Sequence, residues 1–199
     1  MKTDRIEKIK RLFIEQGPVL RTAVLHEHRV FSREIARLSE TGRIEKVKRG
    51  YYRWNDDQDD LELVQALFPQ GVISVFSAAV IHELTTVNPM SISITIPTNM
   101  FKPSLPEYPP VEIFFSAEEI MELGVEDYMV GNSRIRLYNK ERTVCDFFKY
   151  RARVGSDIAM EVLKSYVYGP KCNLQKLMEY AVKLRVRKYI KPYVEALIQ

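Results

Sequence analysis

The sequence predicts an α+β protein, and three observations predict it. Apolar residues recur at helical spacing over the first 40 residues and again from about residue 140 onward. Between these regions lie short β-branched or alternating runs separated by glycine and proline. Charge also divides along the chain. Residues 1–54 carry 14 Lys and Arg against 7 Asp and Glu, a net +7. The remainder carries 16 against 19, a net −3, which together make the overall +4. At 199 residues and 46% hydrophobic composition the chain is long enough to bury a real core, and a disordered or collagen-like chain is excluded.

The first helix is read from Ile6, Ile9 and Phe13, at i, i+3 and i+7, with Leu12 beside them; Gly17-Pro18 stops it. A second short helix follows from Leu20 to about Glu27. The third runs from Ser32, read as its N-cap, through Ile35 and Leu38 on the inner face, with Arg33 and Arg37 on the outer one. Glu34 in its first turn suits the helix dipole, and Gly42 supplies a left-handed C-cap. Arg43 to Arg49 then reads as a strand, irregular because Ile44 and Val47 are three apart. Gly50 makes a tight turn, and Tyr51 to Trp54 returns.

Three helices and a basic-tipped hairpin describe a winged helix-turn-helix over residues 1–54, whose expected partner is double-stranded operator DNA. In that reading Arg33 and Arg37 meet base edges or adjacent phosphates in the major groove. Ser32 and the helix N-terminus hold a phosphate, and Lys46, Lys48 and Arg49 hold backbone on the wing.

An acidic stretch, residues 55–60, reads as a solvated linker or as the acidic start of the next helix. Residues 61–199 are expected to form an α+β domain with its strands first and a helical cluster last. Leu61 to Phe68 is a short amphipathic helix, and Ser74 to Leu84 is apolar enough to be a buried one. Ser91 to Pro97 alternates as a half-buried strand, and Val111 to Phe115 is another, with a proline-rich loop from Thr98 to Pro110 between them. Ala117 to Leu123 reads as a short helix. Tyr128 to Val130 and Ile135 to Tyr138 flank Gly131-Asn132-Ser133 as a hairpin. Helices are expected over 141–154, 157–168, 173–184 and 186–198, the last bent at Pro192. Its neighbourhood holds a second basic run, Lys183, Arg185, Arg187, Lys188 and Lys191.

The residues offer little catalytic chemistry. GxxxxGK, GxGxxG and GxSxG patterns are absent, and His26, His28 and His82 lack metal-ligand spacing. Asp146 with Lys149, and Glu112 on a strand, are the candidates for a metal-dependent nuclease. Their spacing does not give the tight acid–acid–lysine strand pattern, and Asp146 has a simpler role in a helical ion pair with Arg142. Cys145 and Cys172 have no CxxC or Cys/His partner, so Cys145 reads as a small buried hydrophobe. The expectation is a non-enzyme with no cofactor and no metal. Neither a signal peptide nor a membrane-spanning segment is expected, and a reducing cytoplasm is the expected home.

Several of these segments also resemble a known family. Arg37-Leu38, Gly42, Ile44, Val47, Arg49-Gly50 and Tyr52 resemble the N-terminal winged helix of AbiEi-type antitoxins of type IV (abortive infection) toxin–antitoxin systems. Ser74 to Leu84 followed by Thr85-Thr86 is similar to the family's apolar helix ahead of its first strand, with Glu83 where a glycine is common. Glu141 to Asp146 is similar to its "ERTxxD"-type segment. The resemblance spans nearly the whole chain. It implies a transcriptional autorepressor and antitoxin whose C-terminal domain counters a nucleotidyltransferase toxin. A stand-alone regulator with a ligand- or protein-sensing C-terminal domain, and a metal-dependent DNA-processing enzyme, are the alternatives.

Overall fold

The computed structural model describes residues 3–56, 59–100, 103–131 and 133–198 and shows a mixed α+β protein with helices at both ends. The N-terminal part runs α1 (Thr3–Gln16), β1 (Val19–Arg21), α2 (Thr22–Glu27), α3 (Ser32–Glu40), β2 (Ile44–Lys48) and β3 (Tyr51–Trp54). Its sheet has the order β1-β3-β2, both pairings antiparallel. Ile9, Leu12 and Phe13 from α1, Leu25 from α2, and Ile35 and Leu38 from α3 close over Leu20, Ile44 and Trp54 of the strands. Trp54, the only tryptophan in the chain, is 6% exposed and meets Phe13 with ring centroids 5.8 Å apart.

Two details depart from the sequence reading. Residues 19–21 form a strand, so the second helix starts at Thr22 instead of Leu20. A three-residue strand paired to a partner 30 residues away leaves almost no local periodicity. The irregularity of the 43–49 strand lies at Val47, where the register shifts between Lys46 and Lys48. Such a bulge leaves one residue unpaired and turns the side chains beyond it.

Gly42 ends α3 as expected. With φ at +65° it lets its own N–H reach Ser39 O (3.0 Å) and Arg43 N–H reach Leu38 O (2.9 Å), the two bonds of a Schellman cap. A Cβ here would touch nothing within 4 Å, so Gly42→Ala isolates the backbone strain. We expect it to cost about 1 kcal/mol in urea denaturation.

The C-terminal part begins with α4 (Asp60–Leu67), capped by Asp59, whose carboxylate accepts from Leu61 N–H at 2.7 Å. The expected linker thus ends in a helix cap; Asp57 and Gln58 lie outside the described residues. A mixed five-stranded sheet follows, built from β4 (Val72–Ile73), β5 (Ile92–Pro97), β6 (Val111–Ser116), β7 (Val125–Val130) and β8 (Ser133–Tyr138) in the order β6-β5-β4-β8-β7. The turn residue Asn132, like Phe101 and Lys102 of the proline-rich loop, lies outside the described residues. Helix α5 (Val75–Ile81) precedes β5. The chain finishes with α6 (Lys140–Lys149), α7 (Arg151–Val154), α8 (Ser156–Tyr168), α9 (Leu174–Lys183) and α10 (Arg187–Leu197).

Ile73, Ile94, Ile113 and Leu137 occupy matching register positions and share one sheet face, which α4 covers through Leu63, Val64 and Leu67. Phe114 lies on the other face, in a larger core made by α5, α6 and α8–α10. β5 is therefore buried on both faces, against the expectation of a half-buried strand. Its intervening Ser93 and Thr95 are 0% and 1% exposed. They face α5, where Ser93 N–H donates to Ser77 Oγ (2.9 Å) and Thr95 Oγ1 to Ser74 Oγ (2.8 Å). The Ser93 hydroxyl itself has no partner among the described residues, and alternation alone cannot tell a solvated polar face from one buried against a helix.

Two further expectations are revised. Ala117 to Leu123 contains only a 3₁₀ turn, Glu118–Ile120, and the expected helix 141–154 is broken at Tyr150 into α6 and α7. Asn139 caps α6, accepting from Arg142 N–H at 3.0 Å.

Arg142 and Asp146 form the helical ion pair read from their spacing, and it is buried: their side chains are 0% and 1% exposed. Arg142 Nε donates to both Asp146 carboxylate oxygens at 3.1 Å. Its Nη1 donates to the carbonyls of Ile120 (2.6 Å) and Leu123 (3.0 Å), and its Nη2 to Ser116 Oγ (3.3 Å). The guanidinium also lies 4.2 Å from the ring centroid of Tyr138. One side chain thus ties α6 to the connection between β6 and β7. Burial pushes the Asp146 carboxyl up against the pull of Arg142. The same burial opposes the Arg142 charge, yet the attraction of Asp146 and Tyr138 moves the Arg142 pKa upward on balance.

Candidate nucleic-acid interface

Helix α3 is held by its buried side, so its outer side is free to meet a partner. Ile35 and Leu38 enter the N-terminal core, and Arg33 and Arg37, one turn apart, are exposed on the opposite side. The orientation is braced by Glu34. It accepts from Arg5 Nε of α1 at 2.9 Å, while Arg5 Nη2 also donates to Arg29 O at 2.7 Å in the turn before α3. Arg29 takes φ of +60°, and Val30 N–H reaches back to Leu25 O (2.8 Å), giving the turn between α2 and α3 its sharp bend.

The Arg5 hydrogen bond holds the Glu34 carboxyl below its usual range, more than burial raises it. A carboxyl lowered in the folded state stabilises above its unfolded pKa, about 4.3, and loses that contribution as pH falls through the folded value. With both side chains about one-third exposed, the contribution is under about 1 kcal/mol. Glu34→Gln should therefore be less stable than the native chain at neutral pH in urea denaturation. That gap should narrow as pH falls through the lowered pKa of the folded-state carboxyl.

Phe31, not Ser32, is the N-cap of α3; its φ and ψ are −92° and 167° and no side chain caps the helix. Ser32 is instead the first helical residue, exposed at the mouth of a cleft of about 340 Å³ between α3 and the hairpin. Ala36 and Ser39 line the helix side of that cleft, at i+4 and i+7 from Ser32, and Lys46 and Tyr52 line the hairpin side. A reading by charge passes over these small residues. The signal was their helical spacing, which leaves room for a partner to approach the backbone.

Lys46 and Arg49 are exposed as expected. Among the described residues no ion pair involves Arg33, Arg37, Lys46 or Arg49. Lys48 departs from the expectation: it is 8% exposed and its Nζ donates to Ser104 O (3.3 Å) in the C-terminal part. The bulge at Val47 turns it away from the solvent side of the hairpin, so it is not a free wing cation.

Neither models of known protein families nor curated proteins give a match to this chain.

The remaining candidates are dispersed. Glu112 pairs with Arg153 at 2.6 Å, Asp146 is held by Arg142, and Lys149 Nζ points to Phe115 O at 3.5 Å. No group of three or more His, Cys, Asp or Glu side chains is placed to hold a metal among the described residues. Cys145 is fully buried, and burial pushes its thiol well up. The second basic run is exposed at Lys183, Arg185, Arg187, Lys188 and Lys191, with Lys191 paired to Glu195 at 3.4 Å. No described helix is long and apolar enough to cross a membrane.

Proposed function

We propose that residues 1–54 are a winged helix-turn-helix that binds double-stranded operator DNA, and that the chain acts in the cytoplasm as a transcriptional autorepressor. The observation that carries this reading is the outer side of α3, where Arg33 and Arg37 stand exposed one turn apart and unpaired among the described residues. The helix is nine residues long, and its diameter with side chains, about 10–12 Å, fits a major groove about 12 Å wide. Lys46 and Arg49 on the hairpin add backbone contacts, and the +7 charge of residues 1–54 supplies the long-range attraction. The resemblance to AbiEi-type antitoxins extends the proposal: the C-terminal part counters a nucleotidyltransferase toxin encoded beside it.

Selection of bound fragments from a random duplex library, followed by footprinting, tests the DNA reading. A discrete protected sequence bound far more tightly than random duplex is the expected result; equal affinity for all sequences would overturn it. Growth rescue on co-expression with the adjacent gene product tests the antitoxin reading, and continued toxicity would remove it.

A further inference from the structure

We propose that Lys48 and residues 103–110 form a latch by which the C-terminal part of the chain sets the affinity of the N-terminal part for DNA. This rests on the proposed DNA-binding role and adds the element that controls it.

The bulge at Val47 sends two consecutive residues of the hairpin out of the N-terminal part. The Val47 side chain is 3% exposed in a core cluster with Leu63, Val64 and Phe68, and its carbonyl accepts from Glu107 N–H at 3.2 Å. Lys48 follows. Its ammonium lies 4.5 Å from the ring centroid of Tyr51 and 5.1 Å from that of Phe68, and donates to Ser104 O. In place of water the ammonium has one carbonyl and two ring faces, and the carbonyl contact exists only while the 103–110 segment stays packed on the hairpin. Burial, and then the Arg21 charge, pushes its pKa down, which is the cost of holding an ammonium away from water.

The next two residues are the turn, Arg49-Gly50. The turn is also gripped from the opposite side, where Gly50 O accepts from Thr22 N–H (2.9 Å) and Thr22 Oγ1 (3.3 Å) at the start of α2. Arg49 is thus placed relative to α3 by two anchors, one inside the N-terminal part and one in the 103–110 segment. That segment is surface chain, with Leu105 43% and Tyr108 54% exposed, so a partner can reach it. Coupling of this kind is reciprocal: DNA that orders the hairpin tightens the segment, and a partner that pulls the segment away loosens the hairpin.

Hydrogen exchange and duplex titrations on the full chain test this. In the absence of DNA, Lys48→Met should speed amide exchange across residues 44–54 and at Glu107. It should weaken binding of the selected duplex about tenfold, within the usual range for coupled sites, with the salt dependence unchanged. Glu107→Pro, which removes the amide donor far from the proposed DNA contacts, should likewise speed exchange across residues 44–54 and weaken duplex binding. Wild-type protein on the duplex should show slower exchange over residues 103–110. A fall of about one in the salt slope for Lys48→Met would make Lys48 a phosphate contact and overturn the latch. So would unchanged exchange and affinity in both variants. A wild-type chain that binds no duplex removes the DNA reading, and the exchange comparison then decides the latch alone, since unchanged exchange overturns it.

Discussion

Arg142→Ala should lower the stability of the protein by about 3–5 kcal/mol, the usual cost of leaving one member of a buried ion pair unpartnered. The substitution strands the fully buried Asp146 carboxylate and frees the carbonyls of Ile120 and Leu123 and the hydroxyl of Ser116. For a chain of this length the melting temperature should fall by roughly 6–20 °C, read by far-ultraviolet circular dichroism. Arg142→Met combined with Asp146→Leu should recover the part of the loss due to the stranded carboxylate and leave the part due to the freed carbonyls of Ile120 and Leu123. A single-variant loss under about 1 kcal/mol would mean that water reaches the pair.

Arg33→Ala and Arg37→Ala should each weaken operator binding by about 1–3 kcal/mol, roughly 5- to 150-fold, and relax discrimination between the operator and its point variants. Arg49→Ala, on the hairpin turn, should instead weaken specific and non-specific binding alike and reduce the salt slope by about one. Fluorescence anisotropy across a salt series separates the two patterns. Unchanged affinity in both helix variants would take α3 out of the interface.

The parts of this fold that were legible in the sequence depend on residues close together in the chain. Gly42 ends α3 because a left-handed residue was needed there, and the 3.6-residue spacing of Ile35 and Leu38 placed the helix. Strands β1 and β4, with three and two residues, were hidden because their existence depends on partners far along the chain. Lys48 was misread for a related reason. A lysine between Val47 and Arg49 reads as a surface cation, and its burial follows from Phe68, Ser104 and a bulge that spacing showed only as an irregularity. Arg142 and Asp146 were paired correctly, but four-residue spacing carries no information about depth. For the interface, the arginines were legible by their charge, whereas the small residues Ala36 and Ser39 become visible only opposite Lys46 and Tyr52.

The lone tryptophan makes this molecule its own spectroscopic reporter. Trp54 is buried against Phe13 in the N-terminal core, so its emission tracks that core, while the far-ultraviolet signal is dominated by the many C-terminal helices. Melting followed by both signals shows directly whether the two ends of the chain lose structure together. Coincident curves that separate in Lys48→Met would record, in one unlabelled sample, the cooperativity carried by a single buried ammonium.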